Sequence, residues 1–193
     1  MIHLLVLHAH ALTTIETPLP LDSPVFSLAT TDAHTQPNMN ILTYASPVAI
    51  RPHRLWAISL YRKTATYDNW RSARTGILQH LATHHAPLTQ TLGGTSAKTA
   101  SPRAKADACA ELGFAWERVD SQPEMLLPRC VCYYRLVQHG ESIDAGDHEI
   151  AICRVESVWT SCGDEPPPAP LSTQALRDAN LITLAGRAVG PDE

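Results

Sequence analysis

Lysine, aromatic side chains and long apolar runs are all scarce in this chain of 193 residues. Lys63, Lys98 and Lys105 are its only lysines among 15 basic residues, so nearly every cation is an arginine. Acidic residues outnumber basic ones by 19 to 15, for a formal net charge of −4. A nucleic-acid ligand rewards a basic excess, so no nucleic-acid role is expected. No stretch approaches the roughly 20 apolar residues of a membrane helix, so no membrane role is expected either. The five cysteines, Cys109, Cys130, Cys132, Cys153 and Cys162, are odd in number and include no C-x-x-C pair. That argues against a disulfide framework, and Cys130 and Cys132 are expected to be small buried apolar residues on one face of a strand. His84-His85 and His8-x-His10 lack a Cys or carboxylate partner at ligand spacing, so no metal site is expected. The absence of G-x-x-x-x-G-K-[ST], H-E-x-x-H and G-x-S-x-G removes support for a Walker-type site, a zinc protease and a serine hydrolase. Without G-x-G-x-x-G, any nicotinamide nucleotide would not sit in a Rossmann fold.

What is present is an ordinary globular composition, 44% hydrophobic. A chain of this length buries about 70% of its unfolded surface and needs no staples. The run Leu4 to Leu7 has no basic segment before it. It reads as a terminal strand within Met1 to Leu12, not a signal peptide, and a reduced, cytoplasmic protein is the expectation. Five further segments read as strands: Val25 to Thr30, Asn40 to Ser46, Leu55 to Leu60, Arg129 to Val137 and Glu149 to Trp159. In the third, Trp56, Ile58 and Leu60 share a face. A helix is expected from a Thr66 cap through Ala73. A second starts at Ser101-Pro102 and stops at Gly113. Inserted helices among irregularly connected strands predict a mainly β (α+β) domain built on an antiparallel barrel. Consecutive prolines in Asp164 to Pro170 favour an extended spacer. Residues 1–163 are therefore taken as the barrel domain and 164–193 as a proline-rich linker and C-terminal arm that packs back.

Three segments could carry chemistry. Asn40 to Pro47 clusters hydroxyls and amides at a strand end, where a polar planar ligand could bind or the chain could simply turn. Tyr61 to Asn69 sets Arg62, Lys63 and two threonines at a helix start, which offers free amides and a positive dipole end to a phosphate. Asp144 to Glu149 places His148 after a bend at Gly146, as a hydrogen-bonding or proton-carrying group.

In this order and spacing, with the Gly94-Thr95-Ser96-Ala97-Lys98 loop between the second and third, these segments resemble the flavin reductase-like family with the FMN-binding split barrel. The resemblance covers about Phe26 to Trp159. It implies a six-stranded antiparallel split barrel, a homodimer with flavin near the subunit interface, and FMN (in some members FAD) reduced by NADH or NADPH. Carried over by position, Thr43, Tyr44, Ala45 and Ser46 would line the isoalloxazine ring, with Asn40 opening that stretch. Ser59, Lys63, Thr64 and Thr66 would hold the ribityl chain and phosphate, and Asn69 would pin the helix start or the phosphate. His148 would lie on the nicotinamide side. Tyr44 is bulkier than the small polar residue usual at its position, and the proline-rich tail lies outside the family pattern.

The implied function is hydride transfer from NAD(P)H to flavin, with a flavin-dependent monooxygenase as one recipient of the electrons. Three alternatives stay open: a flavoprotein that keeps its FMN and passes electrons to another acceptor, a non-catalytic split barrel binding another ligand such as haem, and a purely structural barrel.

Overall fold

The computed structural model describes residues 19–94, 101–119 and 122–189. The strand expected within Met1 to Leu12 and residues 95–98 of the Gly94–Lys98 loop lie outside the described residues. The main elements, in chain order, are β1 (Phe26–Thr31), β2 (Pro37–Leu42), β3 (Ala45–Ala49), β4 (Leu55–Tyr61), α1 (Ala65–Ala73), β5 (Thr75–His80) and α2 (Pro102–Glu111). A small hairpin of β6 (Glu117–Arg118) and β7 (Met125–Leu126) follows. Then come β8 (Cys132–Gln138), β9 (Ile143–Ala145), β10 (His148–Trp159) and α3 (Thr173–Asp178). Among the described residues no helix is long and apolar enough to cross a membrane.

The main sheet runs β2-β1-β5-β8-β10-β4-β3, with β9 added on β10. Every pairing in it is antiparallel. β2 and β3 occupy opposite ends of this path, yet only Thr43 and Tyr44 separate them in sequence. The sheet must therefore curl until its two edges meet, which gives the split barrel. The single strand expected over Asn40 to Ser46 is thus corrected to two pairing segments of one bent stave. Counted that way, the barrel has the six staves the resemblance implies. Pro47 does not end this stave but sits within β3. Among the described residues β3 pairs only with β4, and a proline is tolerated on such an edge strand.

Side-chain alternation divides the core in two. Phe26 and Leu28 of β1 point into the barrel with Ile58, Leu60, Leu78, Leu136 and Cys153. Ala29, on the opposite side of β1, joins with Ile77 of β5 an outer core of Leu127, Phe114, Leu171 and Leu176 beneath the helices and the C-terminal segment. That segment is stitched to the barrel by Val25 N–H to Leu171 O at 3.0 Å and Leu171 N–H to Leu81 O at 2.9 Å. α3, capped by Ser172, follows directly. The cysteines are free, and Cys109, Cys130 and Cys153 are buried.

Helix starts follow local chemistry. α2 opens as expected, with Ser101 Oγ accepting from Ala104 N–H at 3.1 Å and Gly113 at φ +84° just beyond its end. α1 starts two residues earlier than its expected Thr66 cap. Thr64 is the N-cap, its Oγ1 accepting from Tyr67 N–H at 3.2 Å. α1 is then followed by β5, where close packing makes Gly76 obligatory. A Cβ built there would stand 2.8 Å from the Ala29 carbonyl oxygen of the neighbouring strand. Gly76→Ala is expected to lower stability by about 1–3 kcal/mol, read from the urea midpoint, because the strand pair must spread to admit a methyl group.

Candidate functional site

A cavity of about 590 Å³ opens where the barrel is split. Its walls come from the β2–β3 bend, the end of β4, the first turn of α1, the start of β10, the turn over Gln90–Gly94 and one side chain of α2. Asn40, Thr43, Tyr44, Ser59, Lys63, Thr64, Thr66 and His148 all line it. Ala45 and Ser46 face a shallower neighbouring hollow that shares Thr43, Tyr44 and Ser59. Asn69 is turned away: it lies on the underside of α1 and donates from Nδ2 to Thr30 Oγ1 at 3.2 Å.

One end of the cavity is built for an anion. The amides of Ala65 and Thr66 lie in the first turn of α1 and have no intrahelical acceptor. The Thr64 hydroxyl is already engaged on both sides, donating to Tyr61 O at 2.8 Å and accepting from Tyr67 N–H. It therefore fixes the helix start more than it offers a free donor. Lys63 is exposed at the rim. Thr66 is buried, and its Oγ1 accepts from Asn38 Nδ2 at 2.8 Å. Arg62, which the sequence pairs with Lys63, is used elsewhere. Its guanidinium meets Asp144 Oδ2 at 2.9 Å and donates from Nε to His148 O at 3.3 Å. In the turn after β4, Arg62 thus braces the turn before β10 while Lys63 lines the cavity.

Two residues that the sequence does not single out complete this end. Lys105 reaches from α2, is 4% exposed, and donates from Nζ to Met39 O at 3.0 Å. Burial pulls its pKa down to about 8, which still leaves it mostly charged at neutral pH. Among the described residues no carboxylate pairs with it. Asn38 Oδ1 is buried without a hydrogen-bond partner among the described residues. A buried cation without an anion and a buried acceptor without a donor are both costly unless a ligand completes them. Asn38 shares a strand face with Asn40, two residues on.

The other end is flatter and more aromatic. The His148 ring stands 5.7 Å from that of Tyr44 and 5.3 Å from that of Tyr61. Its Nδ1 lies 2.7 Å from Asp147 Oδ1, and this contact holds the Asp147 carboxyl below its usual range. Ser59 N–H donates to Tyr44 O at 2.9 Å and fixes the bend beside this slot. The cavity thus offers a flat polar-aromatic slot joined to a cationic seat, the complement of a planar ring bearing an anionic tail.

A family model described as "Flavin reductase like domain" matches residues 21–179. No curated protein matches the chain. Solved structures with the same fold include an FMN-binding protein from Thermus thermophilus crystallised with p-hydroxybenzaldehyde, at 18% identity and TM-score 0.65, covering 83% of this chain and 89% of that one. Nitrilotriacetate monooxygenase component B from Mycobacterium thermoresistibile aligns at 15% identity and TM-score 0.63, over 79% and 76% of the two chains. The Streptomyces globisporus C-1027 NADH:FAD oxidoreductase SgcE6 aligns at 13% identity and TM-score 0.59, over 79% and 75%.

Proposed function

The chain belongs to the flavin reductase-like family, and on that premise we propose that it binds FMN in the cavity at the barrel split and uses it as the hydride acceptor from NADH or NADPH. The observation that carries this reading is the incomplete polar floor of the cavity. Among the described residues Asn38 Oδ1 lacks a donor and the Lys105 ammonium lacks an anion, and both line the cavity with the open first turn of α1. A ribityl chain supplies hydroxyl donors and a phosphate supplies the anion, so the residues present fit the group.

Lys63, Lys105 and the amides of Ala65 and Thr66 would hold the phosphate by charge and hydrogen bonding. Thr43, Tyr44 and Ser59 would border the ring, and Ala45 and Ser46 would support it from the adjoining hollow. His148, kept in place by Asp147, would orient the nicotinamide and exclude water. Asn69 would act at one remove, by anchoring α1 to β1. When bound, the flavin supplies the two-electron chemistry itself, so the chain needs no acid–base dyad. FAD is the alternative flavin, given the NADH:FAD oxidoreductase among the relatives of this fold.

Tyr44, Val48 and Ile50 are exposed on and beside β3, next to the cavity. They support a homodimer that would bury this edge. The monooxygenase component among the similar structures supports a monooxygenase as the eventual recipient of electrons.

The test is a titration of the purified protein with FMN, followed by NADH and NADPH under anaerobic conditions. Binding with bleaching of the flavin band is expected, and no binding or no bleaching ends the reading. Lys63→Ala should weaken FMN about tenfold and leave riboflavin nearly unchanged. Equal loss of both would remove Lys63 from the phosphate seat.

A further inference from the structure

We propose that the arm after α3 builds a second compartment beside the flavin cavity, and that Arg187 there holds the diphosphate of an adenine dinucleotide. The inference rests on the flavin reading of the first cavity and adds a subsite whose arm side, Arg187 included, lies beyond the family match, which ends at 179.

The arm is a fixed wall. Ile182 is buried in the outer core and forms an antiparallel bridge with Ala188. The turn between them is closed by Thr183 N–H to Arg187 O at 2.8 Å, Gly186 N–H to Thr183 O at 2.9 Å and Arg187 N–H to Thr183 Oγ1 at 3.2 Å. Gly186, at φ +81°, permits that turn. Gln90 Nε2 donates to Val189 O at 3.2 Å and ties the arm to the turn bordering the first cavity.

The arm also packs against the turn that borders the first cavity. A Cβ on Gly93 would stand 3.5 Å from the Ala188 Cβ. Between arm and barrel is a second cavity of about 350 Å³, and its walls include Thr89, Leu176 and Arg187. It shares Ile41, Thr43, Gly93 and Gly94 with the first. The absence of a side chain at the two glycines lets Ala188 of the arm pack closely on this shared wall, so Arg187, next to Ala188, stands one wall away from the first cavity. Arg187 is exposed and has no carboxylate partner among the described residues.

A mononucleotide satisfies the first cavity alone. A guanidinium one wall away suits a second phosphate, because its planar fork donates two parallel hydrogen bonds to neighbouring oxygens. FAD and NAD(P)H both carry a diphosphate and an adenosine, which is the shared chemistry the compartment would take.

The full chain and its Arg187→Ala, Arg187→Glu and Arg187→Lys variants are titrated calorimetrically with FMN, FAD and ADP, and the KM for NADH and NADPH is measured. ADP is expected to bind the parent chain and to weaken about tenfold or more in Arg187→Ala. It should weaken further in Arg187→Glu and recover in part in Arg187→Lys. The same pattern in the Kd for FAD identifies the flavin as the source of the diphosphate. The pattern in KM for NADH or NADPH identifies the reductant. FMN is expected to move less than about twofold. Equal weakening of FMN, or unchanged ADP, FAD and nicotinamide nucleotides, overturns the proposal while leaving the flavin reading intact. If FMN fails to bind at all, the flavin reading falls, and the ADP arm still decides the subsite: no ADP binding to the parent chain overturns it.

Discussion

Arg135→Ala is expected to remove about 3–5 kcal/mol of folding stability. Arg135 lies on β8, and its Nη1 stands 2.7 Å from both Oε1 and Oε2 of Glu124, just before β7. The Arg135 side chain is 18% exposed and that of Glu124 only 1%. Truncating the arginine strands a carboxylate in the interior, and the loss of its partner dominates over the loss of packing. Urea unfolding of the single variant measures this. The double variant Arg135→Met with Glu124→Leu should recover most of the stability, since a buried pair replaced by apolar groups of similar volume is often neutral or better. A loss below about 1 kcal/mol for Arg135→Ala would show the pair to behave as a solvent-screened surface bridge. The same loop is held at a second point, where Leu127 N–H donates to Gln79 Oε1 at 2.7 Å. The Gln79 link alone is expected to keep the β6–β7 hairpin in register in the double variant.

The contrast between these residues shows what the sequence could reveal. β4 and β10 announce themselves because each has one barrel-facing side, so Ile58 and Leu60, or Ala151 and Cys153, recur every second residue. The break at Thr43–Tyr44 is silent. Asn40 to Ser46 is locally a good continuous strand, and only closure of the barrel forces it to change partners from β1 to β4. Site residues near the start of α1 were legible because a cap, a cation and a first turn are neighbours in sequence. The same nearness pairs Arg62 with Lys63, yet Arg62 turns to Asp144 and only Lys63 lines the cavity. Lys105 and Asn38 were beyond reach. The ammonium of Lys105 meets a carbonyl 66 positions away, and no pattern along the chain encodes that meeting. Arg135 stood out only as one outward position in an alternating strand, with nothing to mark the carboxylate it neutralises.

Lys105→Met should move two quantities in opposite directions. Without ligand the variant is expected to be more stable than the parent at pH 7, by on the order of 1–3 kcal/mol, offset in part by the lost hydrogen bond to Met39 O. The cause is desolvation, which lowers the folded-state pKa from 10.5 to about 8. The unfolded chain keeps this proton up to about pH 10.4. Unfolding between those limits therefore takes up a proton, and rising pH relieves the cost of the buried charge. Below about pH 8 the cost is present in full, so the stability gap between variant and parent should be constant there and close toward pH 10.4. Ligand affinity runs the other way. The charge that burdens the empty fold attracts a phosphate, so Lys105→Met should weaken FMN by about 10- to 100-fold below pH 8 and riboflavin far less. In the parent, FMN affinity should decline as pH rises through 8 and beyond, since a bound phosphate raises the lysine pKa. In the variant that decline should vanish. Isothermal titration from pH 6.5 to 9.5, beside urea unfolding of the unliganded proteins, reads both trends. A variant that is less stable when empty and binds FMN unchanged would make Lys105 a strut on the edge of β2, and the cavity would lose its second cation.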